Sequence, residues 1–358
     1  VLGNVLEVKY GKDHKKLADG QYPVYGSGGL MRYVDSILYD GPSILIPRKG
    51  TLNNIMFVDS PFWTVDTMFW SIINTDKVDP KFLFYSICKR DFASMNVGSA
   101  VPSMTVNILN DIQISYPKNI SDQRRIASIL SSLDQKIELN NKINADLEEM
   151  AQAIFKNWFV DFEPFKNGKF VDSELGMIPE GWKVGSLGDF CNVFTGKKNT
   201  SQAIEKGLYP FFSCAPEPLA SNDAIFNGKA IIIAGNGSYT GRTSFYNGEF
   251  DLYQRTYACT IREQDKENLM IFFYHMMKQF FEPTKMGGTR GSSIPYIVMG
   301  DITQQKFPYS KDWLIRFSNI ANSMMDRKLR IDKENSRLSL LRDTLLPRLM
   351  SGELEVPE

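Results

Sequence analysis

The segment "SDQRRIASILSSLDQKIELNNKINADLEEMAQAIFKNW", residues 121–158, decides the fold of this chain. Its apolar residues recur in alternating steps of four and three, which is the spacing of a heptad seam. Ser121 and Asp122, shortly after Pro117, are good N-terminal caps for a helix. The segment therefore predicts one long coiled-coil helix. Its apolar seam consists of Ile126, Leu130, Leu133, Ile137, Leu147, Ala151, Ile154 and Trp158.

A second, looser seam near the end of the chain predicts a partner for this helix. A helix with a single apolar stripe needs another surface to bury it. The first helix leads the chain away from the domain that precedes it and the second must return, so the pair is expected to be antiparallel. The second seam consists of Ile320, Met324, Ile331, Asn335, Leu338, Leu341 and Leu345, and ends near Pro347.

Three asparagines fall on these seams, namely Asn140, Asn144 and Asn335. Paired amides at seam positions can fix the register and orientation of two helices. Alternatively, the three side chains face solvent where the crossing is loose. The sequence leaves both interpretations open, because it does not fix the antiparallel phase.

The chain repeats itself on either side of the first helix. "GSAVPSMTV" (98–106) and "GSSIPYIVM" (291–299) both begin with Gly-Ser, place an apolar residue before a proline and precede an Asp-Ile pair. In the same order, "VLGNVLEVKYGK" (1–12) matches "SLGDFCNVFTGK" (186–197), and "LYDGPSILIPRKGT" (38–51) matches "IFNGKAIIIAGNGS" (225–238). Matches this far apart, kept in one order, indicate a duplicated domain.

Each copy has short apolar runs separated by Gly, Pro, Asn and Asp, as in a mostly β domain. The sequence therefore predicts an α+β fold: two similar mostly-β domains separated by a long antiparallel two-helix coiled coil, as a pseudo-two-fold tandem repeat. The predicted ranges are 1–117 for the first β domain, 118–160 for the first helix, 161–182 for a linker, 183–309 for the second β domain, 310–350 for the second helix and 351–358 for a tail.

Composition excludes several classes of protein. Lys plus Arg and Asp plus Glu number 41 each, so net charge favours no particular partner. No apolar run reaches the roughly 18 to 20 residues that span a bilayer, and no signal peptide is evident. The four cysteines form no CxxC pair and only two histidines are present, so a metal site is not expected. Scattered cysteines are typical of a reducing compartment, and we predict a cytoplasmic protein.

Two similar domains held apart by a rod suit a DNA duplex with two separated half-sites. Basic and polar residues recur in the loops at corresponding places in the two copies. Arg, Asn and Gln can read base edges, and Lys, Ser and Thr can hold phosphates. Each residue could equally belong to an ordinary solvated loop. The candidate DNA-binding residues are Lys12, Lys15, Lys16, Arg48, Lys49, Asn53, Asn54, Lys197, Lys198, Asn199, Thr200, Ser238, Tyr239, Arg242, Arg255 and Arg290.

Catalysis has little support in the sequence. There is no GxxxxGK[ST] phosphate loop, and "VDPKF" (78–82) lacks the second acidic residue that a nuclease site needs. An Asn-Pro-Pro-aromatic run, as used by base methyltransferases, is also missing. We therefore predict no catalytic residues in this chain.

Taken together, these motifs resemble the specificity subunit of Type I restriction–modification enzymes. The resemblance rests on "YPVYGSGG" (22–29), "DGPSILIPRKGT" (40–51), "GSAVPSMT" (98–105), "SDQRRIASILSSLDQKIELNNK" (121–142) and the linker from "FKNWFVDFEPF" (155–165) to "LGMIPEGWKVGSLGD" (175–189). It covers essentially the whole chain.

The resemblance implies a non-catalytic subunit whose two target-recognition domains each read one half of an asymmetric bipartite DNA site. The helices would set the spacer and dock two modification subunits, which bind S-adenosylmethionine and methylate adenine. Restriction subunits, with translocase and nuclease activity, would join them. No cofactor is implied in this chain itself.

The resemblance also implies that Gln123, Arg124 and Ile126 lie in the region that faces a modification subunit. The second copy lacks the Gln-Arg-Arg triplet. Phe155, Trp158 and Phe159 fit either partner docking or closure of the helix against its own β domain. The first copy has no equivalent of "IPEGWKVGS" (178–186), so we expect further residues upstream of Val1.

Two other functions remain as alternatives. One is a coiled-coil assembly protein whose β domains bind protein or glycan, and the other is an enzyme with an unrecognised site. Salt-dependent, sequence-specific DNA binding would separate the first interpretation from both. The recognised bases, the spacer length and the presence of a restriction subunit do not follow from the sequence.

Overall fold

The computed structural model describes residues 1–96, 102–281 and 295–356. In this part of the chain, contacts divide the protein into two compact units. The first comprises Val1–Asn140 with Lys333–Glu358, and the second comprises Asn141–Asp332. Each unit therefore contains one sheet domain and one half of each long helix.

The described α-helices are Pro80–Ile87 (α1), Val106–Asp111 (α2), Ile120–Phe159 (α3), Leu187–Phe190 (α4), Met270–Phe280 (α5), Met299–Thr303 (α6) and Lys311–Met350 (α7). The first-unit strands are Leu6–Tyr10 (β1), Tyr22–Gly26 (β2), Gly29–Val34 (β3), Pro42–Pro47 (β4), Met56–Asp59 (β5), Trp63–Thr64 (β6) and Met68–Ile73 (β7). Those of the second unit are Phe170–Ser173 (β8), Gly176–Pro179 (β9), Lys183–Ser186 (β10), Cys191–Thr195 (β11), Tyr209–Phe212 (β12), Leu219–Ser221 (β13), Phe226–Ala234 (β14), Thr243–Leu252 (β15), Thr256–Ile261 (β16) and Lys306–Tyr309 (β17).

In the first unit, a sheet with the order β1-β7-β4-β5 lies beside a smaller sheet with the order β3-β2-β6. Asp79 caps α1 by accepting a hydrogen bond from the Phe82 backbone, and Pro80 occupies the first helical turn, where its missing N–H has no cost. The core joins sheet residues such as Ile44 and Phe69 to Phe82 of α1 and to Leu130 of α3.

In the second unit, the sheet has the order β11-β16-β14-β15-β12-β13. Its first four strands follow the same order as the main sheet of the first unit. Helix α5 is almost entirely buried, and its Phe272 packs in one core with Phe159 of α3 and Phe317 of α7. The shared strand order, together with a helix packed on each sheet, confirms the predicted α+β fold with a duplicated domain.

The two long helices are antiparallel within each unit. In the first unit, the Arg342 guanidinium contacts the Asp134 carboxylate at 2.6 Å, and Asn140 lies opposite Asn335. In the second unit, Lys328 contacts Glu148 at 2.8 Å. In both cases position numbers rise along α3 as they fall along α7, as the sequence predicts. The segment predicted as a linker, 161–182, contains the β8–β9 hairpin.

The seam of α3 is found where it was predicted, but the seam of α7 is partly wrong. Ile320 and Leu341 are exposed, and the buried residues of α7 are Leu314, Phe317, Ser318, Ala321, Met325, Ile331, Leu346 and Leu349. The reason is that α7 packs against the sheet domains as well as against α3, so its apolar stripe is not a simple heptad. The helix also continues past Pro347 to Met350.

Asn140 and Asn144 are buried and Asn335 is half-buried, so the solvent-facing interpretation is wrong. Asn140 is 1% exposed, and its Nδ2 donates to Asn335 Oδ1 at 2.8 Å and to Glu334 Oε2 at 3.0 Å. Asn144 Nδ2 donates to Asp332 Oδ1 at 2.6 Å. The contact between Asn140 and Asn335 is the expected amide pair. The other two contacts, with Glu334 and Asp332, each join an amide to a carboxylate.

Candidate nucleic-acid interface

In the first unit, two of the predicted DNA-binding loops leave the main sheet at the same end. Strands β1 and β4 both pair with β7, and their last residues lie opposite its first ones: Tyr10 opposite Phe69, and Pro47 opposite Met68. The loops that follow, 11–17 and 48–54, therefore start side by side. Residues far apart in sequence are brought to one edge by the antiparallel pairing.

The second unit repeats this arrangement. The last residues of β11 and β14 lie opposite the first residues of β16, with Thr195 opposite Tyr257 and Ala234 opposite Thr256. The loops 196–202 and 235–242 therefore also emerge together. We call loops 11–17 and 48–54 the loop edge of the first unit, and loops 196–202 and 235–242 the loop edge of the second unit.

The repeated proline phrase closes each loop edge in the same way. The Gly50 N–H donates to the Pro102 carbonyl, and the Gly237 N–H donates to the Pro295 carbonyl, both at 3.2 Å. The two glycines have φ values of 87° and 83°, which a side chain would strain. Residues 98–101 and 291–294, which begin the two phrases, lie outside the described residues, as does the predicted DNA-binding residue Arg290.

Ten of the sixteen predicted DNA-binding side chains are exposed at or next to the loop edges and are free of the inter-loop contacts described below. In the first unit these are Lys12, Lys15, Lys16 and Lys49. In the second unit they are Lys197, Asn199, Thr200, Ser238, Tyr239 and Arg255. Asn199 also has a local role, since its Oδ1 accepts from the Thr200 backbone at 2.9 Å. The others present cationic or hydroxyl groups to solvent.

Three predicted residues of the first unit hold the loops together. The Arg48 guanidinium donates to the Asp66 carbonyl at 3.1 Å and lies over the Tyr10 ring. Asn53 Oδ1 accepts from the Ala93 backbone at 2.9 Å. Asn54 Nδ2 donates to the Ser27 carbonyl at 2.8 Å. These hydrogen bonds fix the loop geometry and occupy groups that would otherwise read bases.

Lys198 in the second unit is an internal anchor. Its ammonium contacts the carboxylates of Asp223 and Asp251, each at 2.7 Å, and the Ser221 hydroxyl at 2.8 Å. The hydrogen bond to Asp223 and, next in size of effect, the one to Asp251 raise the pKa of Lys198. Asp251 is only 1% exposed, and such a carboxylate needs a paired cation. The charge of Lys198 is therefore already compensated by the protein.

Arg242 is a second anchor in this unit. It is half-buried, and its guanidinium donates to the carbonyls of Ala215 and Pro216 in the β12–β13 turn. Burial lowers the pKa of Arg242. The side chain thus ties the turn to the loop that follows β14.

The residues predicted to dock a partner are mostly buried. Gln123 and Ile126 are buried in the first unit. Gln123 Oε1 accepts from the Asp79 backbone N–H at 2.7 Å, and its Nε2 donates to the Pro117 carbonyl at 2.7 Å. Phe155 and Phe159 are packed in the core of the second unit against Phe272.

A buried side chain offers no surface to a partner, so the docking prediction is corrected for these four residues. For Phe155 and Phe159, closure of the helix against its own domain is the interpretation that holds. Of the remaining two, Arg124 is exposed and Trp158 is half-buried against Trp313.

Sequence reasoning missed the acidic anchors and the β2–β3 hairpin. Nothing local to Asp251 or Asp223 identifies them as partners of Lys198, because they lie far along the chain. The hairpin had a usable signal, since "GSGG" (26–29) between two apolar runs is typical of a tight β turn. Its turn is tied to the loop edge through Ser27 and Asn54.

Over the described ranges, no cluster of three or more His, Cys, Asp or Glu residues could hold a metal ion. A search of the same residues finds no helix that could cross a membrane.

Comparison with known proteins identifies the family. Its sequence model, described as the Type I restriction modification DNA specificity domain, matches residues 2–149 and again 179–311. The MjaIX specificity subunit of Methanocaldococcus jannaschii is 28% identical over 341 residues, covering 88% of this chain and 78% of that protein. The HindI specificity subunit of Haemophilus influenzae is 23% identical over 396 residues, covering 84% and 83%.

The fold is also found among solved structures. The S subunit of a Type I restriction-modification system from M. genitalium superposes with a TM-score of 0.61 at 17% identity, covering 97% of this chain and 94% of that one. The double match of the family model agrees with the duplicated domain seen in the two sheets. The chain therefore belongs to the Type I restriction–modification specificity subunits, non-catalytic components that bind DNA and assemble with the other subunits of these systems.

Proposed function

We propose that each loop edge reads one half of an asymmetric bipartite DNA sequence. The observation that supports this most directly is that the same edge is built twice, with different side chains. Identical backbone hydrogen bonds from Gly50 and Gly237 hold two loops whose exposed residues differ. Two loop edges with similar backbone structure and different exposed side chains suit two half-sites of different sequence.

The exposed loop residues divide into two groups by chemistry. Lysines hold phosphates and give salt-dependent affinity, whereas Arg, Asn and hydroxyl side chains are able to read base edges. The phosphate-binding residues are Lys12, Lys15, Lys16, Lys49 and Lys197. The base-reading residues are Asn199, Thr200, Ser238, Tyr239 and Arg255. The others, Arg48, Asn53, Asn54, Lys198 and Arg242, hold the loops in place.

The long helices set the unread spacer and dock two adenine-methyltransferase subunits. S-adenosylmethionine binds in those subunits, and restriction subunits complete the nuclease. Arg124, exposed near the start of α3, remains a docking residue in this proposal. The buried Gln123 beside it positions the helix on its own sheet domain.

Co-expression with the neighbouring methyltransferase gene, followed by genome-wide mapping of methylated adenine, tests this proposal. We expect a bipartite motif with a fixed gap. Exchanging residues 1–116 for those of another specificity subunit should change one half of the motif only. A continuous motif, or a change in both halves, would contradict the proposal.

A further inference from the structure

The tip of the β2–β3 hairpin in the first unit exposes two large apolar side chains. Leu30 is 52% exposed and Met31 is 56% exposed. Neighbouring exposed apolar residues on a polar edge mark an interaction site more often than a scattered single one does. None of the predicted DNA-binding residues lies on this hairpin.

A β-bulge places both side chains outside. Val24 pairs with Arg32 and Tyr25 pairs with Leu30, so Met31 is an extra residue in β3. In a regular strand, successive side chains point to opposite faces and one of the two would turn inward. Bulges are known to re-aim side chains in this way. Gly26 leaves the space that Met31 occupies, because a methyl group there would lie 2.5 Å from the Met31 sulfur.

The hairpin touches both lysine-bearing loops of the first loop edge. The Ser27 carbonyl accepts the hydrogen bond from Asn54, in the loop that carries Lys49. On the other side, Arg32 donates to the Leu17 carbonyl at 3.1 Å, next to Lys15 and Lys16. The apolar tip is thus attached to two cationic loops. This combination is complementary to a DNA groove, where phosphates flank base edges that include the apolar methyl group of thymine.

We propose that Leu30 and Met31 are specificity-determining residues that contact bases in the half-site read by the first unit. Apolar side chains read the methyl group of thymine, while flanking lysines hold phosphates. This inference rests on the proposed function of the loop edge. It adds two apolar base-contacting side chains to a site otherwise composed of polar loops.

Leu30→Ser and Met31→Ser, singly and together, test the inference in the full chain assembled with its modification subunits. The wild-type motif is mapped first, and binding is then measured on a duplex that carries it and on duplexes with each base pair of the half-site replaced. We expect the double variant to bind the wild-type duplex at least about five-fold more weakly. It should also lose discrimination at one or two positions of that half-site. The salt dependence of binding should not change, because no cation is removed.

Leu208→Ser in the second unit is the matched control, since Leu208 is 78% exposed. It should leave affinity and discrimination at the first half-site unchanged. If the double variant behaves like this control, Leu30 and Met31 do not read DNA, although the bipartite motif of the wild type still stands. If the variant fails to assemble with modification subunits but any assembled fraction discriminates normally, the tip docks protein and the inference is overturned. A wild type without a bipartite motif contradicts the proposed function itself.

Discussion

Lys197 and Lys198 are neighbours in sequence with different surroundings. Lys197 is exposed, whereas Lys198 is held by Asp223 and by the buried Asp251. A lysine that neutralises a phosphate releases counterions on binding, but one already paired inside the protein does not. The pair therefore provides a matched test of which loop cations touch DNA.

Lys197→Met should reduce the slope of log affinity against log salt by about one. Lys198→Met should leave that slope unchanged and lower stability by about 2 kcal/mol, because it leaves the Asp251 carboxylate buried without its cation. Salt titrations of DNA binding and thermal melting measure the two effects. Equal losses of slope in the two variants would place Lys198 on the phosphates.

His275 is a residue whose burial should be visible in the pH dependence of stability. It is buried on α5, with Nδ1 2.9 Å from Gln152 Oε1 and with Glu148, Lys278 and Lys328 nearby. Burial lowers the pKa of His275 to about 4, below its ordinary value of 6.5. The unfolded chain thus binds a proton that the folded chain rejects between these values. Stability should rise with pH across this window and fall as pH drops through it.

His275→Gln should flatten the stability curve between pH 6.5 and 4, where the wild type loses up to about 3 kcal/mol through this group. Denaturant unfolding at a series of pH values provides the measurement. His14→Gln, which removes the other histidine of the chain, is the control. An unchanged slope in His275→Gln would mean that the ring is protonated in the folded protein.

At the level of elements, Asn140 and Asn335 are a polar pair in a largely apolar seam. Asn140→Leu should destabilise the chain by about 1 kcal/mol, because it leaves the Asn335 amide without this partner. The double variant Asn140→Leu/Asn335→Leu should recover part or all of that loss, since two apolar residues suit the seam. A double-mutant cycle from chemical unfolding gives the coupling energy. Additive effects would show that the two amides do not act as a pair.

The sequence predicts α3 well and α7 poorly, for a physical reason. The predicted seam residues of α3 are all buried or half-buried, although Phe155 and Phe159 beside the seam are buried against the second sheet domain. Phe317 and Ala321 of α7 are buried out of that phase, since a second surface, the sheet domain, packs on the same helix. The periodicity of a sequence indicates a single buried stripe clearly. It does not separate two stripes when a helix packs against two surfaces.

The loop edges show a similar limit. Positions such as Lys12 and Lys49 could be predicted, because a basic loop at corresponding places in a repeat is visible in the sequence. The sequence could not predict that Lys198 and Arg242 are held inside the protein. Their partners, Asp251 and the Ala215 carbonyl, come from other strands and turns. The β-bulge at Met31 is likewise a property of the pairing of two strands, and one strand alone does not reveal it.

At the level of the whole molecule, the proposed spacer role links helix length to the recognised DNA. Seven residues added to each helix, after Asn140 and after Asp332, keep the heptad phase and lengthen each by about 10 Å. That length corresponds to about three base pairs at 3.4 Å each. We expect the mapped methylation motif to keep both halves and gain about three unread positions.

An insertion in α3 alone is the informative control for this variant. It shifts every contact beyond the insertion relative to α7, including the pair formed by Glu148 and Lys328. We therefore expect it to lower the melting temperature and abolish methylation, whereas the paired insertion melts close to the wild type. A paired insertion that methylates the original motif with its original gap would show that the helices do not set the spacing. The distance between half-sites would then have to come from the loops or from the modification subunits.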